Sequence, residues 1–139
     1  MLQSIYPVLL TEKLNESNEF YKTHFGFAEI FKNDWYISLS HPNNGELALI
    51  DVYHNTIPDF YQSVARGMFL NIEVDDAAQL YDYIADRSSH IIVTPRQEED
   101  YGYLHFMVQD PNGILVDIIQ KITPTSEYQD NYITEECKP

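Results

Sequence analysis

Asp117 stands in the run Ile114-Leu115-Val116-Asp117-Ile118-Ile119, a carboxylate in an otherwise apolar segment. An ionised carboxylate is costly to bury unless it is paired, bound to a metal or facing a wet cavity. Upstream, His105 interrupts the run Tyr103-Leu104-His105-Phe106-Met107-Val108, and Asp110-Pro111-Asn112-Gly113 separates the two segments. Pro111 fixes one φ, Gly113 can take the positive φ of a tight reversal, and Asp110 and Asn112 can bond the turn's own backbone. The pattern predicts a β-hairpin. An odd-length loop or a bulge then puts His105 and Asp117 on one face as direct or diagonal neighbours. A carboxylate beside an imidazole fixes its tautomer and favours its protonated form. Such a pair can act as a general base or bind a cation. With no nucleophile or metal identified nearby, a structural or ligand-binding pair is the preferred reading over a catalytic one.

The elements that must position this pair repeat along the chain. Ser4 to Leu10 reads as a strand, and Asn15 to Phe25 as a helix with Phe20, Tyr21, His24 and Phe25 at helical spacing, stopped by Gly26. Strands follow at Ala28 to Phe31, Trp35 to Ser40 and Glu46 to Val52, the last two split by Pro42-Asn43-Asn44-Gly45. The second half starts with a strand at Phe69 to Val74. Asp75 is the expected N-cap of a helix through about Ala85, with strands at His90 to Thr94, Tyr103 to Val108 and Ile114 to Gln120. Each half is β-α-β-β-β. The predicted class is α+β: two βαβββ modules form a curled mixed sheet around a shared cup, with helices on the outer face. The expected organisation is one domain over 1–123, with module one at about 3–52, a linker at 53–67 and module two at about 68–121. The linker is a packed loop or a short helix. The polar tail 124–139 is expected to be frayed or draped over a neighbouring subunit.

This pattern resembles the vicinal-oxygen-chelate superfamily, the glyoxalase, bleomycin-resistance and extradiol-dioxygenase group. The residues that carry the resemblance are the opening strand, then Ser17-Asn18-Glu19-Phe20-Tyr21-Lys22-Thr23-His24-Phe25-Gly26-Phe27, and Asp110-Pro111-Asn112-Gly113 four residues before Asp117. It covers about 3–121. In that superfamily's metalloenzymes the first and last strands of each module supply four ligands to the cup. The resemblance places those positions at Tyr6, Leu49, Phe69 and Asp117. Only Asp117 could bind a hard cation, whereas a divalent site needs about three or more imidazole or carboxylate ligands. The expectation is no metal and no cofactor. The family also commonly pairs subunits to complete each cup, which implies a homodimer.

Period-two alternation sorts the strands into faces. Leu70, Ile72, Val74, Leu104, Phe106, Val108, Ile114, Val116 and Ile118 make an apolar, helix-facing set. The expected cup face carries Tyr6 and Val8; Trp35, Ile37 and Leu39; Leu47, Leu49 and Asp51; Phe69, Asn71 and Glu73; Tyr103, His105 and Met107; and Leu115, Asp117 and Ile119. Its mixture of aromatic and polar side chains describes a ligand pocket rather than a plain core. The candidate ligand-binding residues are Tyr6, Trp35, Phe69, Asn71, Glu73, Tyr103, His105, Met107 and Asp117, and the catalytic candidates are His105, Asp117 and Glu73. Arg96, with Gln97-Glu98-Glu99-Asp100, is expected on a loop at the cup mouth, where it clamps an anion or pairs with those acids. Tyr101-Gly102-Tyr103 is a candidate aromatic lip.

The formal charge of -14, from 22 acidic against 8 basic residues, opposes binding to nucleic acid or anionic lipid and attracts cations. No apolar run approaches the roughly 20 residues of a membrane span. No charged leader or signal-peptide core precedes the first strand, and the single cysteine, Cys137, cannot form an internal disulfide. The expected location is cytoplasmic. Together these readings predict a metal-free protein that holds a small organic ligand, cationic ones included, in an aromatic and acidic cup. The alternative is a metal-dependent lyase or dioxygenase with Asp117, His105 and Glu73 gathering the metal.

Overall fold

Residues 1–42 and 45–133 are described by the structure, a computed structural model; Asn43, Asn44 and Cys137 lie outside them. The chain forms two compact units, one of residues 1–68 together with Asp110–Ile114, the other of Phe69–Gln109 and the residues from Leu115 onward. Each unit holds one four-stranded mixed sheet with a helix against it, so the α+β βαβββ repeat is present twice.

In the first unit the elements are β1 (Val8–Thr11), α1 (Leu14–Phe25), β2 (Ala28–Lys32), β3 (Tyr36–His41) and β4 (Gly45–Asp51). The sheet order is β1-β4-β3-β2, with β1 and β4 parallel and the other pairs antiparallel. Helix α1 buries Ser17, Asn18, Phe20 and Tyr21. It stops at Gly26, whose φ of 74° is open to glycine at little cost, and the N–H groups of Gly26 and Phe27 return to the Lys22 and Tyr21 carbonyls.

Two strands begin later than the sequence pattern suggests. The first opens at Val8 rather than Ser4, because Pro7 has no N–H for the ladder and contributes only its carbonyl, to Ala48. Strand β3 opens at Tyr36 because the Asn33 side chain accepts the N–H groups of Trp35 and Tyr36 at 2.9 and 2.7 Å, closing a side-chain turn.

The facing of this sheet is also corrected. Register puts Leu9, Thr11, Ile37, Leu39, Leu47, Leu49 and Asp51 on one side. Thr11 identifies that side, since its hydroxyl lies 3.4 Å from Ser17 Oγ on α1. Leu9, Ile37, Leu39 and Leu49 are wholly buried there. Of the residues expected to face a cup, Ile37, Leu39, Leu47, Leu49 and Asp51 therefore lie on the helix side, whereas Val8 keeps the opposite face with Tyr36, Ala48 and Ile50.

In the second unit the elements are β5 (Phe69–Glu73), α2 (Ala77–Ser88), β6 (Ile92–Glu99), β7 (Tyr103–Gln109), β8 (Leu115–Lys121) and the short α3 (Ser126–Gln129). The sheet order is β5-β8-β7-β6. The cap of α2 is Asp76 rather than Asp75: its carboxylate accepts the Gln79 N–H at 2.9 Å. The helix runs on to Ser88 and a 3₁₀ turn at Ser89–Ile91 follows, which moves the next strand from His90 to Ile92.

Strand β6 then continues through Pro95 and Arg96 to Glu99, where the sequence pattern places a loop. As the sheet edge it tolerates a proline, and its pairing with β7 shifts register between Ile92 and Thr94 and again between Thr94 and Gln97. Arg96 reaches back to α2, 3.9 Å from the Asp82 carboxylate and 5.5 Å from the Tyr81 ring centre. In this sheet the expected facing holds. Leu70, Ile72, Phe106, Val108, Val116 and Ile118 share the α2 side, where the rings of Phe106 and Tyr81 meet edge to face at 5.1 Å. The linker contains one 3₁₀ turn at Asp59–Tyr61, with Phe60 fully exposed.

Candidate functional site

Opposite α2, the second sheet presents Phe69, Asn71 and Glu73 on β5, Leu115, Asp117 and Ile119 on β8, Tyr103, His105 and Met107 on β7, and Thr94, Gln97 and Glu99 on β6. Direct pairs are Met107 with Asp117 and His105 with Ile119, so His105 and Asp117 are diagonal neighbours on one face. Gln109 pairs with Leu115 around the five-residue connection Asp110–Ile114, the odd length that one-face placement requires.

His105 Nδ1 lies 2.7 Å from Asp117 Oδ1, and both residues are buried. On the other side of the ring, Nε2 is 3.4 Å from Glu99 Oε1. The imidazole is thus held between two carboxylates. Only its doubly protonated form has an N–H for each. Glu99 also accepts a short hydrogen bond from Gln97, and the Gln97 and His105 contacts together hold its carboxyl below the ordinary glutamate value of 4.5.

Tyrosines surround this chain of groups. The Tyr103 ring centre is 5.9 Å and that of Tyr101 6.4 Å from His105, and the two tyrosines meet edge to face at 5.1 Å. The Tyr101 hydroxyl is pushed above its ordinary range, first by burial and then by the charges of Glu99 and Asp117.

Of the residues singled out in the sequence, the second sheet brings Tyr103, His105, Met107, Asp117, Asn71, Phe69 and Glu73 to one face. Phe69 and Asn71 are exposed on the edge strand. Glu73 does not join His105: Ile119 stands between them in the ladder, and its carboxylate pairs with Lys121 at 3.2 Å. Glu99 takes the place expected of Glu73. Sequence reasoning put Glu99 in a loop; the signal that could have moved it is the alternation of Gln97 and Glu99 on a strand able to run past an edge proline.

In the first unit, Tyr6 precedes β1 and is exposed. Trp35 precedes β3 and its ring is covered by His54, stacked at 3.6 Å and 8°. Leu49 sits in the helix-side core, and shifting the parity to Val8, Ala48 or Ile50 supplies no imidazole or carboxylate. Among the described residues no group of three or more His, Cys, Asp or Glu is placed to hold a metal ion. No helix among them is long and apolar enough to cross a membrane.

The Asp110 turn serves the fold. Asp110 Oδ1 accepts the N–H groups of Asn112 and Ile114 at 2.8 and 2.9 Å, and Oδ2 accepts the buried Tyr21 hydroxyl at 2.8 Å. Asn112 adds bonds to Thr11 and to Ser17, the latter at 3.0 Å. These contacts explain why the motif accompanies the Phe20-Tyr21 helix: the turn and α1 belong to the same unit.

A family model described as the Glyoxalase/Bleomycin resistance protein/Dioxygenase superfamily matches residues 5–118. No curated protein matches. Among solved structures, a glyoxalase-related enzyme from Fulvimarina pelagi is 24% identical, with 87% of this chain and 89% of that one covered at a TM-score of 0.70. TnmS3, an antibiotic binding protein from Streptomyces sp. CB03234, is 16% identical over 87% of this chain and 97% of that one at 0.65. A lactoylglutathione lyase from Agrobacterium tumefaciens is 16% identical over 96% and 98% at 0.65. At such identities the likeness concerns the fold.

Proposed function

Because the chain belongs to the glyoxalase/bleomycin resistance protein/dioxygenase superfamily, we propose that it is a metal-free binding member, which holds a small organic cation on the face carrying Glu99, His105 and Asp117. The observation that carries this reading is the imidazole engaged at both nitrogens. With an acid on each side, both ring nitrogens of His105 already face carboxylates. Two carboxylates around one imidazole leave a net negative charge whether the ring is neutral or protonated, and tyrosine faces beside it suit a flat or alkylated cation. The chain's -14 charge draws such a ligand in. The antibiotic-binding relative gives this reading a precedent within the fold. The reading includes a cytoplasmic setting without nucleic-acid or membrane partners.

The test is a thermal-shift series with benzamidinium, phenyltrimethylammonium and the neutral benzamide. A ligand that binds only the native state raises the melting temperature by mass action. Both cations should stabilise the protein and benzamide should not, and Asp117→Asn should weaken the response. Equal stabilisation by benzamide, or none by any probe, removes the proposal. Zinc, nickel, iron or manganese bound stoichiometrically after chelator-free purification, and lost in Asp117→Ala, would install the lyase or dioxygenase reading instead. The proposal takes the protein as a homodimer; light scattering at micromolar concentration that returns the mass of one chain would overturn that part.

A further inference from the structure

Three successive carbonyls of the turn between β6 and β7 are taken by the C-terminal segment. The Asp100 carbonyl accepts from the Thr125 N–H at 2.9 Å, that of Tyr101 accepts a short hydrogen bond from the Tyr132 hydroxyl, and that of Gly102 accepts from the Ile122 N–H at 2.8 Å. The Tyr128 ring closes on Tyr101 with centres 6.1 Å apart. The fit leaves no room at the turn: Gly102 has a φ of 106°, and a Cβ there would lie 2.9 Å from the Ile122 carbonyl oxygen and 3.1 Å from the Tyr132 hydroxyl. Through Ile122, Thr125, Tyr128 and Tyr132 the described part of the tail lies along its own unit.

The turn it grips carries the site. Glu99 is the last residue of β6, Tyr103 is the first of β7, and Tyr101 stands between them. The β6 side needs such support, because β6 is an edge strand with two register breaks upstream. Glu99 itself pairs with Tyr103, accepts from Gln97 and takes the Gly102 N–H on its carbonyl, so the three bonds from the tail fix the turn through which those contacts hold its carboxylate 3.4 Å from His105.

We infer that residues 122–133 are a strap that positions Glu99 and Tyr101 against His105, with Tyr132 and Tyr128 as its positioning residues, so that the C-terminal segment sets the ligand affinity of the face. The affinity part rests on the binding function proposed above; the positioning part does not.

Tyr132→Phe deletes one hydroxyl from an exposed ring, and Tyr128→Ala removes the contact with Tyr101. Both are compared with the full wild-type chain at neutral pH by the ¹⁵N shifts of the His105 ring, which report the hydrogen bonding of each nitrogen, with urea unfolding as the control for folding. The expected result is a changed Nε2 shift with Nδ1, bonded to Asp117, unmoved, and benzamidinium affinity lowered about fivefold by the loss of one hydrogen bond. A purely structural tail would lower the urea midpoint and leave the Nε2 shift in place. Unchanged Nε2 shifts in both folded variants overturn the strap. If benzamidinium fails to bind even the wild type, the cation reading falls while the ring shifts still decide whether the strap exists.

Discussion

Asp110→Ala should cost about 4 kcal/mol of stability, enough to leave a marginal domain partly unfolded. The carboxylate is buried and accepts from two backbone N–H groups of its own turn and from Tyr21. Hydrogen bonds to an ionised group contribute roughly 1.5 to 3 kcal/mol each, and removing the acceptor strands donors that water does not reach. Tyr21, with no exposed surface, would keep a hydroxyl with nothing to bond. Burial and then Asp110 push the ionisation of that hydroxyl far up, so it remains a donor over the whole working pH range. Tyr21→Phe removes the donor and leaves Asp110 its two turn N–H groups; its cost should be smaller, about 1 to 2 kcal/mol. Asp110→Asn preserves shape and one acceptor oxygen and should fall between the two. Urea unfolding followed by the single tryptophan, Trp35, measures all three. A cost below about 1 kcal/mol for Asp110→Ala would mean that the turn is held by Pro111 and Gly113 alone, against the contribution expected of charged hydrogen bonds.

What could be read from the residues follows from how local each signal is. The β7–β8 hairpin was legible because both strands alternate and the turn residues carry their own chemistry. Its facing could be checked, since one parity is wholly apolar and the other holds His105 and Asp117. The first sheet offered no such check. Leu47, Ala48, Leu49 and Ile50 are apolar on both faces, so period two cannot say which side meets the helix. What selects the side is the pairing of Leu9 with Leu49 and the approach of Thr11 to Ser17 on α1, contacts that alternation does not encode. Asp75 and Asp76 are adjacent and equally able to cap, and only the backbone conformation selects the second. Glu99 and the tail were illegible for a different reason. Their placement depends on an edge strand crossing a proline and on hydrogen bonds from residues 122, 125 and 132 to residues 100–102, contacts that leave no periodic trace.

Asp117→Ala and Glu99→Gln should separate the two acids flanking His105. Asp117 is buried at 2.7 Å from Nδ1, so its loss leaves a buried N–H without a partner and should cost about 3 kcal/mol. Its charge also faces the proposed ligand, so benzamidinium affinity should fall by more than tenfold, the effect of about 1.4 kcal/mol. Asp117→Asn keeps an acceptor for Nδ1 and removes the charge, and so should recover much of the stability and little of the affinity. Glu99 is more exposed, at 3.4 Å from Nε2, and surface charge pairs contribute little to folding. Glu99→Gln should therefore leave the urea midpoint near wild type and still weaken benzamidinium binding, measured by calorimetry. The pattern matters more than either number: a core ion pair with no ligand role predicts stability losses without parallel affinity losses. If Asp117→Asn and Glu99→Gln both bind benzamidinium like the wild type, the acids serve the fold, and the tyrosines alone would have to account for any cation that the protein holds.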